Sequence, residues 1–200
     1  MTTRLALAVG AALVLFGHPL TSRAGPFGYE QGMSREAVKK ISKGVRDEKT
    51  SLTVKQPPIG NEKFQSLSLQ FSKKSGLCFI LASGVPFFGF SLEHEFTETI
   101  QALSQKYGKP QIAFEPNRDV HEPIPPDSWY RAVIDQKGTL HAAWSGDGQR
   151  QLPDKLRTVR ASLSAFDVGK GLMGGLLIGY AFSNHEDCLS EWRAERSKGL

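Results

Sequence analysis

The chain has 200 residues, of which 40% are hydrophobic and 22% are charged, with 25 lysines and arginines against 20 aspartates and glutamates. A chain of this length can bury a real core, as one domain or as two small ones. Its net charge of +5 is scattered along the sequence, whereas nucleic-acid binding requires a concentrated basic patch, so we expect no nucleic-acid partner.

The first residues have the parts of a secretory signal peptide. Arg4 precedes an apolar run from Leu5 to Phe16, and residues 17–19 interrupt that run. A run of about a dozen residues is too short to span a bilayer, which needs about twenty. Ser22 and Ala24 put small residues at the −3 and −1 positions, so we predict cleavage after Ala24 and a periplasmic or secreted protein.

The alternative for this segment is an uncleaved membrane anchor. His18, Pro19 and Arg23 interrupt any extension of the apolar run, which disfavours an anchor, and no cysteine near the cleavage site could carry a bacterial lipid. The signal peptide is therefore residues 1–24. The mature chain, residues 25–200, keeps 23 basic and 20 acidic residues, and we expect no transmembrane segment in it.

Two cysteines, Cys78 and Cys188, lie in the predicted mature chain. An oxidising compartment permits them to pair, and closing a loop of about 110 residues would stabilise the fold by roughly 4–5 kcal/mol. The alternative is two buried free thiols that behave as small hydrophobic side chains. We favour the disulfide.

Apolar periodicity predicts three helices in the mature chain. The first helix has Ser34 as a suitable N-cap and would stop at Gly44. The second helix runs from about Leu92 to Tyr107 and stops at Gly108. The third helix starts at Asn184, with Asp187 as its capping partner. The predicted buried faces are Val38, Ile41 and Val45 in the first helix, Leu92, Phe96, Ile100, Leu103 and Tyr107 in the second, and Cys188, Leu189 and Trp192 in the third.

Seven strands are predicted from alternation and from short apolar runs. They are residues 52–54, 66–71 and 77–82 before the second helix, and residues 129–134, 140–144, 159–165 and 176–182 after it. The run 77–82 is apolar on both faces, which is typical of a central strand. Turns are expected at 73–76, 135–138 and 145–148.

The fold class that follows is α+β, with two loosely repeated helix-plus-antiparallel-meander units and a C-terminal helix. Residues 25–110 hold the first helix with its three strands and the second helix, and residues 129–200 hold four strands and the last helix. Residues 111–128 form a Pro-rich connection, since five of the eleven prolines lie within 110–128 and forbid a central strand there. We expect residues 25–200 to form one compact domain.

Sequence motifs give no catalytic or cofactor-binding residue. Residues 169–174 match the G-x-G-x-x-G pattern, but an apolar strand-like run follows them, so we interpret the glycines as a hairpin loop. His94, His121, His141 and His185 lack the spacing of zinc ligands, and we expect neither a metal nor a cofactor. No serine lies in a nucleophile-elbow motif, and Cys78 lies mid-strand, where a thiol is unreactive.

Aromatic residues are the more suggestive feature. Phe87, Phe88 and Phe90 lie in a loop with Pro86 and Gly89; we favour their burial under the following helix, and the alternative is an exposed anchor for a partner. The Pro-rich residues 116–126 are interpreted as a surface connection or an extended binding loop. The candidate interaction surface is Phe87, Phe88, Phe90, Trp129, Tyr130 and Trp144.

Gly32-Met33-Ser34, followed by Glu36, Val38 and Ile41, resembles the helix opening of the SmpA/OmlA family, and residues 106–110 resemble the helix exit of such units. These small envelope proteins assist outer-membrane protein assembly. Their helix-then-meander unit also resembles the tandem repeats of β-lactamase inhibitor protein. The match covers about fifteen residues. It departs from the family in lacking a lipidated cysteine and in having one helix, rather than two, before each meander.

These observations favour a non-catalytic interaction module of the bacterial envelope whose partner is another envelope protein. Three alternatives remain open: an inhibitor of a secreted enzyme with Trp129, Tyr130 and Trp144 as anchors, a small-molecule or lipid carrier with a closed apolar cavity, and an enzyme without a recognisable motif. The enzyme would need titratable residues such as His141 and Asp135 to converge in a pocket.

We expect the protein purified from the host's periplasm to begin at Gly25, because cleavage after Ala24 removes residues 1–24. Intact mass spectrometry measures this directly. A mass that still contains Met1 would contradict the predicted export.

Overall fold

A computed structural model of the protein describes residues 25–146 and 151–197. The predicted signal peptide, and residues 147 and 148 of a predicted turn, lie outside the described residues. In the described ranges the helices are α1 (Arg35–Ile41), α2 (Leu92–Tyr107), α3 (Trp129–Ile134) and α4 (His185–Ser197). The strands are β1 (Lys43–Asp47), β2 (Ser51–Gln56), β3 (Phe64–Ser72), β4 (Gly76–Gly84), β5 (Phe87–Phe88), β6 (Gln111–Pro116), β7 (Gly138–Ser145), β8 (Leu156–Asp167) and β9 (Leu172–Phe182). The fold is α+β, as predicted.

The described strands form one antiparallel sheet in the order β1-β2-β3-β4-β9-β8-β7-β6, with β5 pairing β9. The first four strands follow chain order, and the last four reverse it. The final strands of the two meanders, β4 and β9, therefore pair at the centre, from Phe79–Ala181 to Ser83–Leu177. Counted outward from this seam, each meander runs from its last strand to its first, so the sheet is built from two units of the same strand order.

One face of the sheet carries the core. Alternation along each strand places apolar side chains on this face, and α1, α2 and α3 cover it with Val38, Leu92, Phe96, Tyr107 and Val133. Each fully buried side chain of this size contributes about 1.5–3 kcal/mol. The buried strand residues of this layer are Leu52, Val54, Leu67, Leu69, Ile80, Ala82, Leu140, Ala142, Trp144, Val159, Ala161, Leu163, Leu176, Ile178 and Tyr180.

The opposite face, here called the open face, carries the alternate residues of the same strands. Helix α4 covers only its β3–β4 end. There the His185 ring stacks on Phe79 with centroids 5.0 Å apart, and the Glu191 carboxylate accepts hydrogen bonds from Ser72 Oγ at 2.7 Å and from Lys73 N at 2.8 Å. The Asn184 side-chain amide donates to the Leu77 carbonyl at 3.1 Å, which fixes the start of the helix to the sheet.

The predicted disulfide between Cys78 and Cys188 is confirmed, with Cα atoms 6.4 Å apart. A β-bulge positions it, because Gln70 pairs with Phe79 whereas Phe71 pairs with Leu77, which leaves Cys78 as the extra residue. The bond joins the centre of the sheet to α4, and both cysteines are buried.

The first predicted unit differs from the structure in its helix and its strand count. Ser34 caps α1 as predicted, its hydroxyl accepting from Ala37 N at 3.1 Å, but the helix ends at Ile41. Val45 lies in β1, and Ile41 is exposed rather than facing the core. The prediction missed β1 because only one of its five residues turns inward, so no alternation marks it.

Two predictions around the Pro-rich connection are wrong. Residues 129–134, predicted as a strand, form α3, because Pro126 opens a 3-10 turn that runs directly into the helix; a short apolar run has no periodicity to reveal this. Residues 111–116 are β6 rather than irregular chain. Prolines are tolerated there because β6 is an edge strand, paired only with β7 among the described strands.

Other predictions are confirmed. Helix α2 spans Leu92–Tyr107 and ends at Gly108, whose φ of 86° needs a glycine. Residues 168–171 form the β8–β9 hairpin loop, with Gly169 and Gly171 at positive φ, and no dinucleotide fold surrounds it in the described chain. None of the helices in the described ranges combines the length and the apolar character that a membrane crossing requires.

Replacing both cysteines with alanine should lower the free energy of unfolding by about 2–5 kcal/mol, because the long closed loop no longer restrains the unfolded chain. Urea unfolding followed by circular dichroism measures this. Ser190→Ala, on the exposed side of α4, is the matched control and should change stability by less than about 0.5 kcal/mol. An unchanged midpoint in the double variant would show that the bond contributes nothing.

Candidate functional site

The open face ends in a group of apolar side chains at the β8–β9 hairpin, which are exposed except for the half-buried Met173. Phe88 of β5 lies opposite Met173 of β9, which lies opposite Phe166 of β8, so the three form one row across three strands. Leu177 lies on the same face of β9, four residues after Met173, and is also exposed. We call Phe88, Phe90, Phe166, Met173 and Leu177 the hairpin cluster.

Phe88 and Phe90 are the most exposed members of the hairpin cluster, at 65% and 88% of their surface. Their rings stack at a centroid separation of 5.7 Å and an interplanar angle of 6°. Contiguous exposed apolar groups of this kind mark interaction sites on folded proteins. The prediction that these two side chains are buried is therefore wrong.

The Phe87 side chain points to the core face of the sheet, because successive side chains on a strand alternate and Phe88 points to the open face. It faces Gly174 and packs against the core, at a point where any Cβ on Gly174 would collide with the Phe87 ring. The three phenylalanines thus divide: Phe87 fixes β5 to the sheet, and Phe88 and Phe90 face outward.

The other predicted surface residues do not join the hairpin cluster. Trp144 is only 2% exposed, and its indole N–H donates to the Gly108 carbonyl at 2.7 Å, so it holds β7 to the end of α2 and presents nothing to a partner. Trp129 and Tyr130 lie on α3, half-buried against the core. The Trp129 indole donates to the Ile124 carbonyl at 3.1 Å, which fixes the Pro-rich segment.

A polar cluster lies on the open face across β6, β7 and β8. The Glu115 carboxylate is 3.1 Å from His141 Nε2 and 3.1 Å from Arg160 Nη2. His141 Nδ1 is 2.9 Å from Ser162 Oγ and 3.2 Å from Arg160 Nε. Sequence reasoning missed this cluster, because it depends on how three strands pair.

Arg160 determines which nitrogen of His141 carries the proton. Since a guanidinium can only donate, Nδ1 must accept from Arg160 Nε, and the Nε2–H then donates to Glu115. The Ser162 hydroxyl, 2.9 Å from the same Nδ1, shares the single lone pair of that nitrogen with Arg160. This order, hydroxyl to imidazole to carboxylate, is that of a serine nucleophile and its base.

The surroundings of the cluster do not complete a catalytic site. Burial and the charge of Arg160 lower the pKa of His141, which weakens it as a base. Strands β7 and β8 both have neighbours on each side, so their backbone N–H groups are used by the sheet and none is free to stabilise an oxyanion. The cluster is a hydrogen-bonded ladder on a flat surface.

His141 and Asp135, predicted to converge if the protein were an enzyme, are not brought together. Asp135 ends α3 on the helical side and pairs with Arg131 at 3.1 Å, whereas His141 lies on the open face. Among the described residues, no three His, Cys, Asp or Glu side chains are grouped to hold a metal ion.

A cleft of about 980 Å³ lies between α1, the β1–β2 and β3–β4 turns, and α4. Charged side chains line it, and several pair with one another: Arg35 bonds Asp47 and lies over the Phe71 ring, and Lys73 is 2.9 Å from Glu195. Hydrogen bonds, first from the Lys73 backbone, hold the pKa of Glu191 below its ordinary value. The Lys73–Glu195 pair and the hydrogen bonds of Glu191 fasten the β3–β4 turn to α4, and Lys49 and Lys74 also line the cleft.

Comparison with protein-family models, with curated proteins and with solved structures finds no match for this chain.

Stability should fall as the pH is lowered from about 7.5 to about 5. The folded-state pKa of His141 lies below the ordinary 6.5, so the unfolded chain takes up the proton first, and this protonation stabilises the unfolded state. The free energy of unfolding therefore begins to fall near pH 6.5 and levels off below the folded pKa. Burial lowers the pKa of His185 in the same direction. Urea midpoints across this range should fall less in His141→Gln than in the parent. Equal falls would show that His141 does not couple to folding.

Proposed function

We propose that this protein is an exported, non-catalytic interaction module of the bacterial envelope that binds another envelope protein through its open face. The observation that carries the proposal is the stacked, outward-facing pair Phe88 and Phe90, at 65% and 88% exposure, beside Phe166 and Leu177. Buried aromatic anchors supply most of the binding energy in protein interfaces.

Export is supported by two independent features. The signal-peptide pattern of residues 1–24 addresses the chain to the secretory pathway. The disulfide between Cys78 and Cys188 is of a kind that forms and persists in oxidising compartments and is rare in the cytosol. The periplasm satisfies both.

The dimensions of the open face suit a protein partner. Eight strands about 4.8 Å apart give a face on the order of 30 Å wide. A standard interface buries about 800 Å² on each partner, which is a patch of similar width. Small side chains, such as Ser66, Ser68, Ser162 and Ser164, occupy several positions of this face, so that a partner can approach the sheet closely there while the hairpin cluster anchors one end.

The alternatives have less support. A carrier would need an enclosed apolar cavity, and the cleft beside α4 is instead lined mainly by polar and charged side chains. An enzyme would need an oxyanion site beside Ser162. An inhibitor would use the same open face, without Trp144 as an anchor. Kinship with the SmpA/OmlA proteins stays a prediction.

The proposal is tested by photo-crosslinking in cells. A photoreactive phenylalanine analogue at position 90 should capture a distinct protein partner. The same probe at Ile59, an isolated side chain that is 55% exposed outside the open face, should not. Phe88→Ser should weaken binding of the captured partner about 30-fold, since a central aromatic anchor contributes about 2 kcal/mol or more.

Ile59→Ser is the matched control, since it removes an equally exposed apolar side chain elsewhere, and should leave the affinity unchanged. Equal crosslinking from positions 59 and 90, or a Phe88→Ser variant that binds like the parent, would overturn the proposed interface.

A further inference from the structure

A buried carboxylate in the turn before β8 has no complete set of partners. The Asp154 side chain is only 6% exposed, and its Oδ2 receives no hydrogen bond from the described residues. Lys106 Nζ lies 2.6 Å from this oxygen, but at an angle outside hydrogen-bond geometry. An ionised carboxylate at such a site requires donors as well as a nearby charge.

The backbone holds this carboxylate in place. Asp154 and Lys155 have φ values of 61° and 58°, in the left-handed region that residues other than glycine rarely adopt. The next residue, Leu156, begins β8, and the Lys155 carbonyl accepts a hydrogen bond from Ser183 N at 2.9 Å. The turn therefore fixes Asp154 in its inward position.

The residue facing Asp154 is Gly25. It is buried, and a Cβ on it would lie 3.6 Å from the Asp154 Cβ. The chain folds back on itself here, with Gly28 N donating to the Gly25 carbonyl at 3.0 Å and Tyr29 N to the Pro26 carbonyl at 3.1 Å. The backbone of Gly25 therefore lies beside the buried Asp154 side chain.

Gly25 is also the residue that follows the predicted cleavage site. We propose that Asp154 is a binding site for the α-ammonium group that processing after Ala24 creates on Gly25. This inference rests on the proposed export. Hydrolysis by the host's signal-processing peptidase adds water across the Ala24–Gly25 amide, leaving a carboxylate on Ala24 and an amine on Gly25.

Processing changes the chemistry of this nitrogen. In the precursor it is an uncharged amide with one N–H. In the mature chain it is an amine with an ordinary pKa of about 7.7–8.0, so at neutral pH it is mostly a cation with three donors. The cation supplies the two things that Asp154 lacks, a hydrogen-bond donor and a second positive charge. It also fastens the start of the mature chain to the turn before β8.

The titratable groups around Asp154 come from two elements. Lys106 and Tyr107 lie on α2 and Tyr180 lies on β9. Burial raises the pKa of Tyr107, and the charges of Tyr180 and Asp154 raise it further, so both hydroxyls stay neutral near pH 8. Lys106 is half-exposed and can be solvated without Asp154, which leaves the carboxylate to the buried amine.

The test measures the pKa of the α-amine in the protein purified after export. Reductive methylation with ¹³C-formaldehyde labels the amine, and NMR follows its titration. We expect a pKa above 8.0 in the folded parent, about 1 to 3 higher than in Asp154→Asn, and a return to the ordinary value in urea. Lys106→Met, which removes the other cation, is the control and should keep the raised value.

The outcomes separate this inference from the proposed export. An N-terminus at Gly25 whose pKa is the same in the folded parent, in urea and in Asp154→Asn would overturn the amine site alone. An N-terminus at another residue would overturn both the cleavage site and the amine site. The titration of the parent in urea decides the question even if Asp154→Asn does not fold.

Discussion

The pairing of β4 with β9 is the contact on which the rest of the structure depends. Each strand ends its own meander, so this seam is where the two units become one sheet. It places Ile80 beside Tyr180 and Ala82 beside Ile178, which joins the two halves of the core into one layer for α1, α2 and α3 to cover. In either four-stranded meander alone, β4 or β9 would be an edge strand with one side unpaired.

The same seam creates the open face. Since the three helices lie on one side, the alternate residues of eight strands form a continuous surface on the other, and only α4 covers part of it. The bulge at Cys78 and the disulfide to Cys188 hold α4 at the β3–β4 end. The opposite end, where β5 joins β9, is left free, and the hairpin cluster lies there.

Local patterns predicted the elements that stand out in the sequence: α2 with its apolar stripe and Gly108, and the alternation of β3 and β9. They failed for β1 and β6, which are strands because they pair at the edges of the sheet, and for α3, which is a helix because the turn at Pro126 runs directly into it. The candidate site was harder still. The outward orientation of Phe88 follows from its pairing with Met173, and the ladder of Glu115, His141 and Ser162 comes from three separate strands. Such register is set by tertiary pairing, which no local pattern encodes.

The composition of the two edge strands favours a partner that binds the face of the sheet rather than an edge. An exposed edge strand can pair with another chain, and proteins prevent this with charges, prolines and short strands. Edge strand β1 has five residues and carries Lys43, Arg46 and Asp47, and edge strand β6 ends in Glu115 and Pro116. Both edges are thus poor templates for strand addition. The hairpin cluster has no such protection, and its two most exposed members, Phe88 and Phe90, would contact a partner through side chains rather than backbone.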